Sequence, residues 1–323
     1  MAKRFVPVIP ISSALLISLA TIWGCADKNT GGGNAGAAGD GKIIAASFYP
    51  MYIAALNIAS GASGARIVNM APTAAGCLHD YQMTTADAML IEKAAALIIN
   101  GGGMDTFLDK AASANTGLTV VNAGEGIAFM PNCTRTGSYH SHDHHHNHHI
   151  ENNGGVNAHA WMSIENHIAQ IKNIAAGLSA ADAANADIYA GNAQRYVNQL
   201  TALMESAQGD FSSVNNKKIA VTHNGFEYLA RDLGLTVTVT VEQEPGVEPG
   251  AQEIVRTIRL IERERPNAIF AEQGRHSPIS KMISGKTGVP MFELDMITSG
   301  PDDLDAYTKA MEKNISTIKE ALR

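Results

Sequence analysis

Lys218-Ile219-Ala220-Val221-Thr222-His223-Asn224-Gly225-Phe226-Glu227-Tyr228-Leu229-Ala230-Arg231-Asp232-Leu233-Gly234-Leu235-Thr236-Val237-Thr238-Val239-Thr240-Val241 decides the fold class. Residues 218–222 read as a strand, 226–233 as a helix and the β-branched run 236–241 as a second strand. Strand, helix and strand in that order argue for a parallel sheet with helices against it. His223 closes the first strand, and ligands of such sheets bind beyond the carboxyl ends of their strands.

The alternation continues on both sides. Downstream come a loop at 244–250 with Pro245 and Pro249, a helix at 252–264 stopped by Pro266, a strand at 268–271, a helix at 279–285, a strand at 289–294 and a closing helix at 303–322. Upstream, 164–178 and 180–207 read as helices, the second long and free of proline. Before them a first set alternates in the same way: strands at 42–48, 66–70, 96–100 and 118–122, helices at 52–60, 85–93 and 106–114. The expected architecture is α/β, two lobes, each a four-stranded mostly parallel sheet with flanking helices, joined by one long rigid helix. The expected division is an N-terminal lobe over 42–179, a linking helix over 180–210 and a C-terminal lobe over 211–323.

The beginning of the chain reads differently. Lys3 and Arg4 precede an apolar run interrupted by Pro7 and Pro10, as in a secretory signal over 1–24. Ile22-Trp23-Gly24-Cys25 resembles a bacterial lipobox, which would make Cys25 the site of lipid attachment. Residues 25–41, rich in Gly, Ala and Asn, read as a flexible tether. Export, a lipid anchor and a tether would hold a globular body at the outer face of the cell membrane or in a periplasm. Of the chain's three cysteines, Cys77 and Cys133 then remain, and an oxidising compartment makes a disulfide between them the expected pairing. A pair of soft metal ligands is the competing reading.

The formal charge of −7 argues against a nucleic-acid surface. The unusual feature is histidine, present 12 times. Most lie in the polar insertion 131–157, as His140, His142, His144, His145, His146, His148 and His149. Neutral imidazoles bind zinc near pH 7, so this run reads as an auxiliary collector of metal. A solvated polar loop is the plainer alternative.

Four residues at or near strand ends form the candidate principal site: His79, His159, His223 and Asp295. Three imidazoles and a carboxylate supply a closed four-coordinate shell for Zn²⁺. Any one of them alone is more often a structural or capping residue; the joint pattern carries the weight. Such a shell leaves no coordination position for an activated water, and no His-Glu-x-x-His signature is present, so capture rather than catalysis is expected. A zinc hydrolase using Glu227 or Glu272 as base is the rival from another class.

His79-Asp80-Tyr81 with Thr85 and Asp87, Asn157-Ala158-His159-Ala160-Trp161-Met162-Ser163, His223-Asn224-Gly225-Phe226-Glu227-Tyr228-Leu229-Ala230, Ile269-Phe270-Ala271-Glu272 and Leu294-Asp295 stand in the order and spacing of a known family. From about residue 42 onward the chain resembles the metal-binding lipoproteins of zinc and manganese ABC importers (ZnuA-, TroA- and PsaA-like). The resemblance implies metal held between two lobes by His79, His159, His223 and Asp295, with Glu272 in reserve as fourth ligand, and an ABC importer permease as partner. Where relatives commonly carry Asp-Pro-His-x-Trp, this chain has Asn157 and Ala158 before His159. The segment after Glu272 also departs, with Gln273-Gly274-Arg275-His276, and His276 reads as a surface residue. Manganese-binding relatives tend to place a carboxylate at the position of His223; a third nitrogen favours Zn²⁺. A manganese or iron carrier of the same family, or a metal-dependent surface adhesin, is the alternative function.

Overall fold

Alternation along the strands is what builds the molecule from its centre outward. The structure is a computed structural model that describes residues 41–71, 81–132, 155–241, 250–275 and 278–323, all within one compact unit, Gly39–Arg323. In the first sheet β1 (Lys42–Ala46), β2 (Ala65–Asn69), β3 (Ala96–Ile99) and β4 (Thr119–Asn122) run parallel in the order β2-β1-β3-β4. Ile44, Ala46, Ala96 and Ile98 face the main core, and their neighbours Ala45 and Leu97 face a second cluster with Met70, Ile91 and Leu108. Burial of both faces is the normal condition of a parallel sheet.

The helices of this half are α1 (Tyr49–Ala59), α2 (Thr85–Lys93) and α3 (Asp109–Ala114). A capping box starts α2: Thr84 Oγ1 accepts the Asp87 N–H, and Asp87 Oδ2 accepts the Thr84 N–H. A short ladder, β5 (Met130–Pro131) against β6 (Val156–Asn157), closes the base of the histidine-bearing insertion.

Two helices follow, α4 (Ile164–Ala181) and α5 (Ala186–Phe211). The expected linking helix from residue 180 does not start there. Asp182 leaves helical geometry at φ −141°, and its carboxylate gathers Asn185 Nδ2 at 2.6 Å, Tyr189 Oη at 2.8 Å and Lys42 Nζ at 2.8 Å. One 3₁₀ turn separates the two helices, and α5 then runs for 26 residues.

The second sheet repeats the first. Strands β7 (Lys218–Val221), β8 (Thr236–Thr240), β9 (Ile269–Glu272) and β10 (Met291–Leu294) are parallel in the order β10-β9-β7-β8. Helices α6 (Phe226–Asp232), α7 (Ala251–Glu264) and α8 (Pro278–Thr287) flank it, and α9 (Ala306–Ala321) ends the chain. The strand order reverses between β7 and β9, which places the crevice predicted for a ligand beside Thr222-His223 and Glu272. The α/β architecture of two four-stranded parallel sheets and a long helix is therefore as expected.

Candidate metal site

Two of the four expected ligands meet. His159 lies on the turn between β6 and α4, His223 immediately beyond β7, and their rings stand 4.6 Å apart, centre to centre, at 87°. Both residues are buried. That separation lets both imidazoles reach one ion held about 2 Å from each nitrogen.

Local chemistry holds each ring. Ala160–Met162 forms a single 3₁₀ turn after His159, and the Trp161 side chain, fully buried, stands edge-on to Phe48 at 4.9 Å and beside His159 at 5.1 Å. The carbonyls around His159 are fixed from both halves of the molecule: Asn100 Nδ2 donates to Ala158 O, Tyr228 Oη to Asn157 O and Tyr307 Oη to Trp161 O. His223 Nδ1 accepts the N–H of Gly225 at 2.9 Å. Space beside Gly225 is tight: a Cβ there would stand 2.9 Å from Met296 Sδ and 3.0 Å from His223 Nδ1, so the end of the Met296 side chain would have to shift.

Met296 brings the Asp295 loop to the same place. Its carbonyl accepts Trp161 Nε1–H at 2.9 Å. Asp295, half-buried, caps its own turn, with Oδ1 accepting the Ile297 N–H at 2.7 Å while Asn314 holds the Asp295 backbone at both N–H and C=O. Glu272, the reserve ligand, is buried at the end of β9 with Arg275 Nε 3.6 Å from its carboxylate. Glu227 is buried against β8 and accepts the Thr240 hydroxyl at 3.1 Å. Among the described residues no three His, Cys, Asp or Glu side chains are grouped closely enough to hold a metal ion. His79, His276, Cys25, Cys77, Cys133 and the histidines from His140 to His149 lie outside the described residues.

The comparison with known proteins settles the family. Residues 44–321 match the model described as ZnuA, zinc-uptake complex component A, periplasmic.

The chain belongs to the ZnuA family.

Its relatives agree. The high-affinity zinc uptake system protein ZnuA of Bacillus subtilis is 25% identical over 328 residues, covering 100% of this chain and 99% of that protein. A putative metal-binding protein of Treponema pallidum is 24% identical over 245 residues, 75% of this chain and 76% of the relative. The substrate-binding protein FpvC of Pseudomonas aeruginosa, solved with Ni²⁺ bound, superposes with a TM-score of 0.74 at 26% identity, over 87% of this chain and 97% of its own; it was also solved with Mn²⁺. Membership in the ZnuA family makes the chain a metal-binding component of an uptake system rather than an enzyme.

Sequence reasoning missed what surrounds His159 and His223, the two candidate ligands, in this ZnuA-family chain. Ser163 Oγ and the N–H of Glu165, at the start of α4, both donate to Asp232 Oδ2 at the end of α6, and Arg231 pairs with the other carboxylate oxygen at 3.0 Å. Burial raises the Asp232 pKa, and the Ser163 and Arg231 bonds work against that rise. The usable signal was the Ser163-Ile164-Glu165 helix start, but its partner lies in another lobe.

Proposed function

We propose that the chain captures Zn²⁺ outside the cell and delivers it to the permease of an ABC importer. His159 and His223 are two of the ligands, His79 is the third and Asp295, through Oδ2, the fourth, with Glu272 in reserve. The observation that carries the reading is the meeting of His159 and His223, residues from loops 64 positions apart, at 4.6 Å between ring centres. A third imidazole selects zinc over manganese, whose sites favour oxygen. Zinc here is cargo, and a closed shell with no position for activated water holds it without chemistry. Capture needs neutral imidazoles, so affinity falls as the solution is acidified.

An N-terminal lobe from residue 42, the connecting helix α5 (Ala186–Phe211) and a C-terminal lobe ending at 323 belong to this reading, as do a lipid on Cys25, a disulfide between Cys77 and Cys133, and a collecting role for the histidines from His140 to His149. Mass spectrometry of unreduced protein tests the disulfide: two free thiols remove it. Mass spectrometry of the membrane-bound form tests the lipid: an unmodified Cys25 removes it.

The decisive experiment is chelator-competition titration of Zn²⁺, Mn²⁺ and Ni²⁺ into protein lacking residues 1–24, beside His159→Ala, His223→Ala and a form without the histidine run. One tight Zn²⁺ per chain, lost in both alanine variants and kept without the run, is the expected result. Equal affinity for all three metals, or tight zinc binding that survives both substitutions, overturns it.

A further inference from the structure

We propose that Asn157 is a positioning residue that fixes the tautomer of His159, so that the ring meets the metal through Nε2. The inference rests on His159 being a ligand, but its basis is the hydrogen-bond pattern around one amide.

The direction of that amide follows from its partners. Asn157 Nδ2 lies 2.9 Å from the carbonyl oxygen of Asn224. A carbonyl can only accept, so the nitrogen end of the amide must face it. Oδ1 therefore faces His159, where it accepts the His159 backbone N–H at 3.2 Å and lies 2.8 Å from Nδ1. An amide oxygen cannot donate, so Nδ1 carries the ring proton, and in the neutral imidazole the lone pair is left on Nε2. The backbone of Asn157 is itself pinned, its carbonyl accepting Tyr228 Oη at 2.7 Å while the same hydroxyl accepts the Met130 N–H at 2.8 Å. Asn224 is pinned as well, its Nδ2 donating to Asn132 Oδ1 at 2.7 Å.

The same amide thus grips the loop of the other expected ligand, since Asn224 follows His223. A carboxylate at 157 would supply the acceptor for His159 but not the donor for Asn224, and it would set an oxygen against an oxygen there. This explains why an uncharged amide fits the position. It orients the ring without adding charge beside the ion. Hydrogen-bond partners of metal-bound histidines act in this way, and their loss costs about ten- to a hundredfold in affinity.

The test is long-range ¹H–¹⁵N NMR of the imidazoles in metal-free protein, with the His159 signals identified by their loss in His159→Gln, together with Zn²⁺ competition titration. The expected wild-type ring is the Nδ1–H form. Asn157→Ala should release it to a mixture of tautomers and weaken zinc by about ten- to a hundredfold, with the circular dichroism spectrum unchanged. Asn157→Asp, which keeps the acceptor, should restore the Nδ1 proton, and it decides the matter if the alanine variant does not fold. An Nε2–H ring in the wild type, or an aspartate variant that loses the Nδ1 proton, overturns the proposal. So does an alanine variant with unchanged tautomer and affinity. A wild-type protein that shows the Nδ1–H ring but binds no zinc overturns the proposed function and leaves the tautomer assignment standing.

Discussion

The indole Nε1–H of Trp161 donates to the carbonyl of Met296 at 2.9 Å, across 135 positions of sequence. This bond ties the turn that carries His159 to the loop that carries Asp295. Both partners are buried, so neither has water as an alternative. Trp161→Phe keeps most of the apolar surface and removes the donor. The stranded carbonyl should cost about 2 kcal/mol, a melting temperature lower by roughly 4–8 °C. Zinc should also escape faster to an excess of chelator, because the Asp295 loop is no longer held. A melt and a chelator chase measure both.

On the proposed function, His223 should set the metal preference. Removing a ligand should cost more than the roughly tenfold to hundredfold typical of losing a ligand's hydrogen-bond partner. His223→Ala should therefore bind zinc at least about a hundredfold more weakly. Wild-type protein with zinc at a thousandfold its Kd should gain about 4 kcal/mol of stability, and the alanine variant much less under the same conditions. His223→Asp should move the ratio of affinities toward Mn²⁺ by exchanging a nitrogen for a harder oxygen. Competition titrations of the three proteins with both metals read the ratio.

Two buried groups near the Asn100 turn oppose one another in their pH dependence. His167 is fully buried, stacked on Tyr307 and bonded through Nδ1 to Gln170, and burial lowers its pKa from 6.5 to about 4. As pH falls from 6.5 to 4 the unfolded chain takes up a proton that the folded chain refuses, so this group removes stability, on the order of 3 kcal/mol in all. Asp105 is buried too, and burial raises its pKa from 3.8 to about 6. Its folded form holds a proton that the unfolded form has lost, so the same acidification adds stability. Between pH 4 and 6 the two slopes offset each other. Asp105→Asn should expose the His167 slope and lose roughly 1.4 kcal/mol per pH unit there; His167→Gln should instead gain stability on acidification. Urea midpoints at pH 4.5, 5.5 and 7 for the three proteins check the signs.

Asp182 ends one helix and starts the next. The Asn185 amide, then the Lys42 ammonium and the Tyr189 hydroxyl hold its pKa down at about 2, against 3.8 ordinarily. A depressed carboxylate stabilises above pH 4, and that contribution disappears as pH falls from 4 toward 2. Asp182→Ala strands the fully buried Tyr189 hydroxyl, so it should lose roughly 2–3 kcal/mol at pH 7 and show a shallower loss below pH 4. Chemical denaturation at pH 7, 4 and 2.5 tests it.

Several features of the molecule were legible in the chain alone. The strands at 218–221, 236–240 and 269–272 follow from β-branched and apolar runs between turn residues, and α2 lies where the sequence reads a helix, at 85–93. These signals are local, so a sequence carries them without help. The long helix was legible too, but not its start: Ala180 and Ala181 have high helix propensity, and only the arrival of Lys42, Asn185 and Tyr189 around Asp182 makes the break.

The sequence by itself determined two βα series and a long connecting helix, and it marked His159 and His223 as candidate ligands at loop starts. The tertiary structure decided that these two imidazoles adjoin, that the Asn157 amide points its oxygen at one ring and its nitrogen at the other ring's loop, and that Trp161 ties in the Asp295 loop. The physical reason is range. Strand and helix signals act over a few residues, whereas the orientation of a buried amide is fixed only when donors and acceptors from distant segments close around it.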